Sequence, residues 1–139
     1  MSFHTHFLHL KILYDKIYVN IHSFRKSGAK MRILICDDDT LIIEHVQKYI
    51  ESYFESNHLK CPELVSFTSG ESLLADKNEK DIVFLDIEMP GMNGIYVGNE
   101  LKKANKNVII FVVTSYSEYL DEAMRFHVFR YLSKPLDKQ

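Results

Sequence analysis

From Met31 onward, short unbroken apolar runs alternate with longer stretches in which apolar residues recur every three or four positions. The first run, Ile33-Leu34-Ile35-Cys36, has no polar alternation and stops abruptly at Asp37-Asp38-Asp39. This predicts a strand buried on both faces with an acidic exit. Residues 40–57 carry Ile42, Val46, Ile50, Tyr53 and Phe54 on one stripe, the spacing of an amphipathic helix. Glu63 to Phe67 reads as a second strand, and Ser69 as the cap of a short helix through Leu73 and Leu74. Asp81-Ile82-Val83-Phe84-Leu85-Asp86 reads as a third strand, again ending in an acid. Pro90, Gly91 and Gly94 punctuate a loop before a helix over 95–105. The most apolar run, Val108 to Val113, is a fourth strand ending in Thr114-Ser115. A helix over 117–126 and a strand from Val128 to Leu132, ending at Ser133-Lys134-Pro135, complete the pattern.

Strands alternating with helices imply right-handed crossovers and a parallel sheet covered on both faces, an α/β fold. In such sheets the working groups sit at the carboxyl ends of the strands. Here those ends supply Asp37 and Asp38, then Asp86, then Thr114, then Lys134. Crowded carboxylates raise one another's pKa, and a hard divalent cation such as Mg²⁺ relieves the repulsion. A carboxylate is also a phosphoryl acceptor, and a metal with a lysine neutralises charge on a moving phosphoryl group. The Thr114 hydroxyl could donate to a phosphoryl oxygen, and Ser115 is small enough to leave room for it. Each residue also has a plainer role. Asp39 or Thr40 could cap the following helix, Thr114 the helix after it, and Lys134 could be a solvated loop lysine. Complementary chemistry at four strand ends favours a site.

Composition narrows the class. Of 139 residues, 46% are apolar and 26% charged, which fits an ordinary folded domain rather than wholesale disorder. A formal net charge of −2 gives no bulk-charge case for nucleic-acid binding. Cys36 and Cys61 make neither a disulfide framework nor a zinc site, so reduced thiols and a cytoplasmic home are expected. No stretch approaches the ~20 apolar residues of a spanning helix. The charge is uneven. Residues 1–30 hold five basic residues against one acid, and residues 31–139 hold 12 against 18. Residues 1–30 therefore read as an extension of unclear structure, and 31–139 as the domain. His4, His6 and His9 could suggest a metal-binding arm, but nothing nearby would orient them. Lys11, Asp15 and Lys16 break any signal-peptide core. Ser27-Gly28-Ala29-Lys30 reads as a linker.

Residues 31–135 resemble the receiver domain of bacterial two-component response regulators. The resemblance rests on Ile33 to Asp39, Phe84-Leu85-Asp86-Ile87-Glu88-Met89-Pro90-Gly91-Met92-Asn93-Gly94, Val112-Val113-Thr114-Ser115 and Tyr131-Leu132-Ser133-Lys134-Pro135. The wording of Asp86 to Gly94 and of Phe129 to Pro135 is most similar to LytTR-type regulators. The resemblance implies a flavodoxin-like fold with strand order 2-1-3-4-5. It implies that Asp86 accepts a phosphoryl group from a sensor histidine kinase and sheds it slowly, without substrate turnover. It further implies that Asp37, Asp38, Asp86 and the Glu88 backbone carbonyl hold Mg²⁺. Thr114 and Lys134 would contact the phosphoryl group, and Tyr131 would be the switch aromatic, although an aromatic on such a strand is also ordinary packing.

The chain ends at Gln139, where the resemblance implies that a last helix should begin. The expectation is a receiver lacking that helix and the DNA-binding effector domain of a LytTR-type parent, with no direct DNA binding of its own. A bare sheet face would favour self-association, possible as a homodimer, unless apolar side chains of residues 1–30 cover it. One alternative is a receiver-fold interaction module that cannot be phosphorylated. Another is a haloacid-dehalogenase-type phosphatase, for which Asp37 and Asp39 fit but Leu41 stands where threonine is needed.

Overall fold

The computed structural model describes residues 30–134. Five strands form one parallel sheet in the order β2-β1-β3-β4-β5. They are β1 (Arg32–Cys36), β2 (Glu63–Phe67), β3 (Ile82–Leu85), β4 (Ile109–Thr114) and β5 (Arg130–Ser133). Between them run α1 (Thr40–Ser56), α2 (Gly70–Ala75), α3 (Gly94–Ala104) and α4 (Leu120–Arg125). The flavodoxin-like α/β architecture implied by the sequence is the one observed. The extension, its histidines, most of the linker, and the segment from Pro135 lie outside the described residues.

The pleat sends alternate residues of each central strand to opposite faces, and both faces are apolar. Ile33, Ile35, Ile82, Phe84, Phe111 and Val113 pack on one face against Ile43, Val46, Ile50 and Phe54 of α1. Phe84 stacks on Phe111 with ring centres 4.7 Å apart. On the other face Leu34, Cys36, Val83, Leu85, Ile110 and Val112 meet Leu73, Val97, Leu101 and Ala123 of α2, α3 and α4, with Phe126 just after α4. Apolar runs without alternation follow from this two-sided burial.

Helix starts are fixed by side chains that satisfy free N–H groups. Asp39 accepts from Leu41 N at 3.0 Å, Ser69 from Ser72 N at 3.2 Å, and Asn93 from Ile95 N at 2.6 Å. α4 departs from expectation. It spans six residues, begins at Leu120, and its N-cap Tyr119 makes no side-chain cap bond. β5 likewise sits later than the apolar pattern suggests. Val128 is buried against the helical layer, while the ladder to β4 begins at Phe111 and Arg130.

Candidate functional site

Strand register brings the acids together. Cys36 lies opposite Leu85, so the next residues, Asp37 and Asp86, leave adjacent strands side by side. Their backbones are still held by ladder-type bonds. Asp37 N donates to Phe67 O at 3.1 Å, and Asp86 N to Cys36 O at 3.0 Å. Lys134 follows β5 in the same way, its N donating to Thr114 O at 2.9 Å. These side chains are therefore mounted on the rigid sheet rather than on a free loop.

One carboxylate oxygen each from Asp37, Asp38 and Asp86 lies within 4.8 Å of the others. Asp37 and Asp86 are buried, and Asp38 is exposed at the mouth. Lys134 Nζ stands 2.8 Å from Asp37 Oδ2 and 3.4 Å from Asp86 Oδ2. Backbone N–H groups take the other oxygens: Asp39 N donates to Asp37 Oδ1 at 2.9 Å, and Ile87 N to Asp86 Oδ1 at 2.8 Å. Burial, reinforced by the Asp37 charge, pushes the Asp86 carboxyl up to about 6 against the pull of Lys134. Burial also raises Asp37, outweighing Lys134 and the Asp39 N–H. Burial lowers the Lys134 ammonium, but its two carboxylate partners leave it above its ordinary value.

This donor set fits a hard divalent cation. Three carboxylates converge against one ammonium, and buried Asp37 Oδ2 touches Lys134 without an aligned hydrogen bond. Oxygen-only donors of this kind suit Mg²⁺.

Thr114 is buried at the end of β4, where its Oγ1 accepts from Tyr116 N at 3.4 Å. Its hydroxyl proton is not committed by that bond. Tyr131 is half-buried, and its hydroxyl donates to the Tyr116 carbonyl across the β4–α4 loop. Glu88 is exposed, and its side chain accepts from the Tyr119 hydroxyl. The structure thus gathers Asp37, Asp38, Asp86 and Lys134 in one pocket and places Thr114 on the adjoining strand end. Tyr131 sits one step out, on β5, with its hydroxyl on the loop beyond Thr114.

Three residues were given no role at the site from sequence. Gly94 is one: its N donates to Ile87 O at 2.8 Å, and a Cβ there would lie 2.1 Å from the Asp86 carbonyl oxygen. Only glycine permits so close a return of the chain beneath Asp86. Glu71 is the second, accepting from Met92 N at 2.9 Å. Tyr119, the third, is pushed up to about 12 by its bond to Glu88, so it remains a donor at neutral pH. The glycine-rich loop hinted at Gly94; the other two depend on long-range contacts with no local signature.

Residues 33–139 match the response regulator receiver domain family. The chain belongs to that family. It is 32% identical to the sensory transduction protein LytT of Oceanobacillus iheyensis over 114 residues, covering 79% of this chain and 44% of that protein. The chain thus spans less than half the length of this curated relative. Among solved structures, the response regulatory domain of MrkE from Klebsiella pneumoniae is 25% identical with a TM-score of 0.66, covering 76% of this chain and 84% of that one. The response regulator TrrA of Thermotoga maritima, solved in complex with Mg²⁺ and a beryllium fluoride, is 29% identical with a TM-score of 0.63, covering 77% and 89%. Membership in the receiver family overturns the phosphatase alternative. Asp39, which that chemistry would need in the pocket, caps α1 instead. Among the described residues no helix is long and apolar enough to cross a membrane.

Proposed function

We propose that Asp86 accepts a phosphoryl group from the phosphohistidine of a sensor kinase and carries it as an acyl phosphate. The observation that supports this most is the convergence of Asp37, Asp38 and Asp86 within 4.8 Å, with Lys134 Nζ at their inner edge. Asp86 Oδ1 is tied to Ile87 N, which leaves Oδ2 to attack. The new O–P bond forms as the donor's N–P bond breaks, and the histidine leaves with the electron pair. Lys134, already beside Asp86 Oδ2, neutralises charge on the arriving oxygens. The Thr114 hydroxyl is the natural donor to one of them.

Asp37, Asp38, Asp86 and the Glu88 carbonyl would hold Mg²⁺. Bound there, it supplies charge neutralisation for the carboxylates and the transferred group. Asp86 at about 6 is mostly ionised at neutral pH even without metal, as a nucleophile must be. Slow hydrolysis of the acyl phosphate would return the domain to rest. Thr114 and Tyr131 would couple pocket occupancy to the β4–α4 loop, where the Tyr131 hydroxyl already holds Tyr116.

The output reading rests on the relatives. A longer cytoplasmic parent with a DNA-binding domain would regulate transcription, as befits a relative of the transcriptional regulatory protein BtsR of Escherichia coli. Exposed Tyr116, Leu120 and Met124, four residues apart, favour self-association as part of that output.

Intact-protein mass spectrometry after incubation with acetyl phosphate and Mg²⁺ tests the acceptor role. One added phosphoryl group is expected, absent in Asp86→Asn and absent when Mg²⁺ is chelated. A folded protein that gains none would leave the fold as a binding surface only.

A further inference from the structure

Two side chains outside the acidic pocket hold the loop that leaves Asp86. On one side Glu71, in the first turn of α2, accepts from Met92 N at 2.9 Å. It packs there against Gly91, whose φ of +82° turns the chain. On the other side stands Tyr119, the residue before α4. Its hydroxyl reaches across to the Glu88 carboxylate, two positions after Asp86. Gly94 N then closes the loop onto Ile87 O at 2.8 Å.

The Tyr119 hydroxyl is free to serve the loop rather than its own helix. A tyrosine is not a capping residue, and Tyr119 makes no cap bond with α4. Its hydroxyl is used instead on a loop 31 residues away in sequence. A hydrogen bond to a charged acceptor is stronger than a neutral one. Ordering a loop residue costs conformational entropy that such a bond offsets before any ligand arrives. Groups that orient the donors around a metal affect its binding without touching it.

We propose that Tyr119 is a positioning residue for the acidic pocket: by holding the Glu88 side chain it fixes the loop after Asp86 and raises the pocket's affinity for its divalent cation. This rests on the reading of the pocket as a Mg²⁺-dependent phosphoacceptor. It also gives α4 a direct mechanical link to the pocket rim, separate from the link through Thr114.

Isothermal titration calorimetry with Mg²⁺ on the full chain tests the proposal. The set comprises wild type, Tyr119→Phe, Glu88→Ala, the double variant, and Asp38→Ala as the pocket control. Melting curves in a chelating buffer accompany each. Tyr119→Phe should weaken Mg²⁺ binding about three- to tenfold while leaving the metal-free melting temperature unchanged. Added to Glu88→Ala, it should change nothing further, because Tyr119 acts through that side chain. Wild-type affinity in Tyr119→Phe would overturn the proposal. So would a loss that persists in full without the Glu88 side chain, or one matched by a fall in metal-free melting temperature, since either is general loosening. Failure of the phosphoacceptor reading looks different: wild type itself would show no Mg²⁺ binding that Asp38→Ala removes.

Discussion

Both edges of the sheet carry buried carboxylates, and they are resolved in opposite ways. At the amino edge, Arg32 is buried at the start of β1. Its guanidinium lies 2.9 Å from Asp76 and 3.5 Å from Glu63, and it donates to Glu79 O at 2.8 Å. Its backbone N donates to Asp81 Oδ2 at 2.8 Å. Lys80 adds a second cation 3.5 Å from Asp76. Burial alone would raise Asp76, but these partners hold it below the ordinary carboxylate range. At the carboxyl edge one ammonium, Lys134, faces three carboxylates, and Asp86 is pushed up to about 6. The amino edge is electrostatically complete and closes the fold. The carboxyl edge keeps unrelieved repulsion, which a divalent cation can relieve.

Breaking the complete edge should have the largest effect. Arg32→Met strips Asp76 and Glu63 of their shared partner and should cost about 3 kcal/mol in urea unfolding. The acidic pocket lies at the far end of the strands, so Mg²⁺ binding by the folded fraction should be unchanged.

The incomplete edge should respond with the opposite sign. Asp86→Asn removes one buried charge and keeps an acceptor for Ile87 N. The folded-state Asp86 value, about 6, lies above the unfolded value near 3.8. Ionisation therefore withdraws stability as pH rises through that window. In chelating buffer at pH 7.5 the variant should be more stable than wild type by about 2 kcal/mol, and the gain should vanish below pH 4. Equal stability at both pH values would show that the pocket carries no such strain.

Mg²⁺ should relieve the same repulsion without mutation. At ten times its dissociation constant it should stabilise wild type by about 1.4 kcal/mol and leave Asp38→Ala nearly unmoved. Differential scanning calorimetry separates the two.

The same contrast explains what was legible in the sequence. Apolar runs ending in Asp37, Asp86, Thr114 and Lys134 mark the pocket because a parallel sheet sends every strand end to one edge. Capping by Asp39 and Ser69 was legible because it is local. The amino edge was not. Arg32 meets Asp76 across 44 residues and Asp81 across 49, and nothing near Arg32 announces either partner. The bond between Tyr119 and Glu88 was not legible for the same reason. The start of β5 was misplaced because Val128 packs in the helical layer rather than in the ladder.

A last prediction isolates the sign of the amino edge. Asp76 sits below its ordinary value, so its contribution is present above about pH 4 and is lost as pH falls through the folded-state value. Asp76→Asn keeps the shape and removes the charge that Arg32 and Lys80 bind. At pH 7 it should destabilise by about 1.5 kcal/mol, half the effect of Arg32→Met, because Arg32 retains Glu63 and the Glu79 carbonyl. As pH drops below 4 the difference from wild type should shrink. Urea midpoints for Asp76→Asn and Asp86→Asn, followed from pH 3 to 8, should therefore depart from wild type in opposite directions as pH rises. If both variants departed the same way, net charge rather than local pairing would govern the two edges.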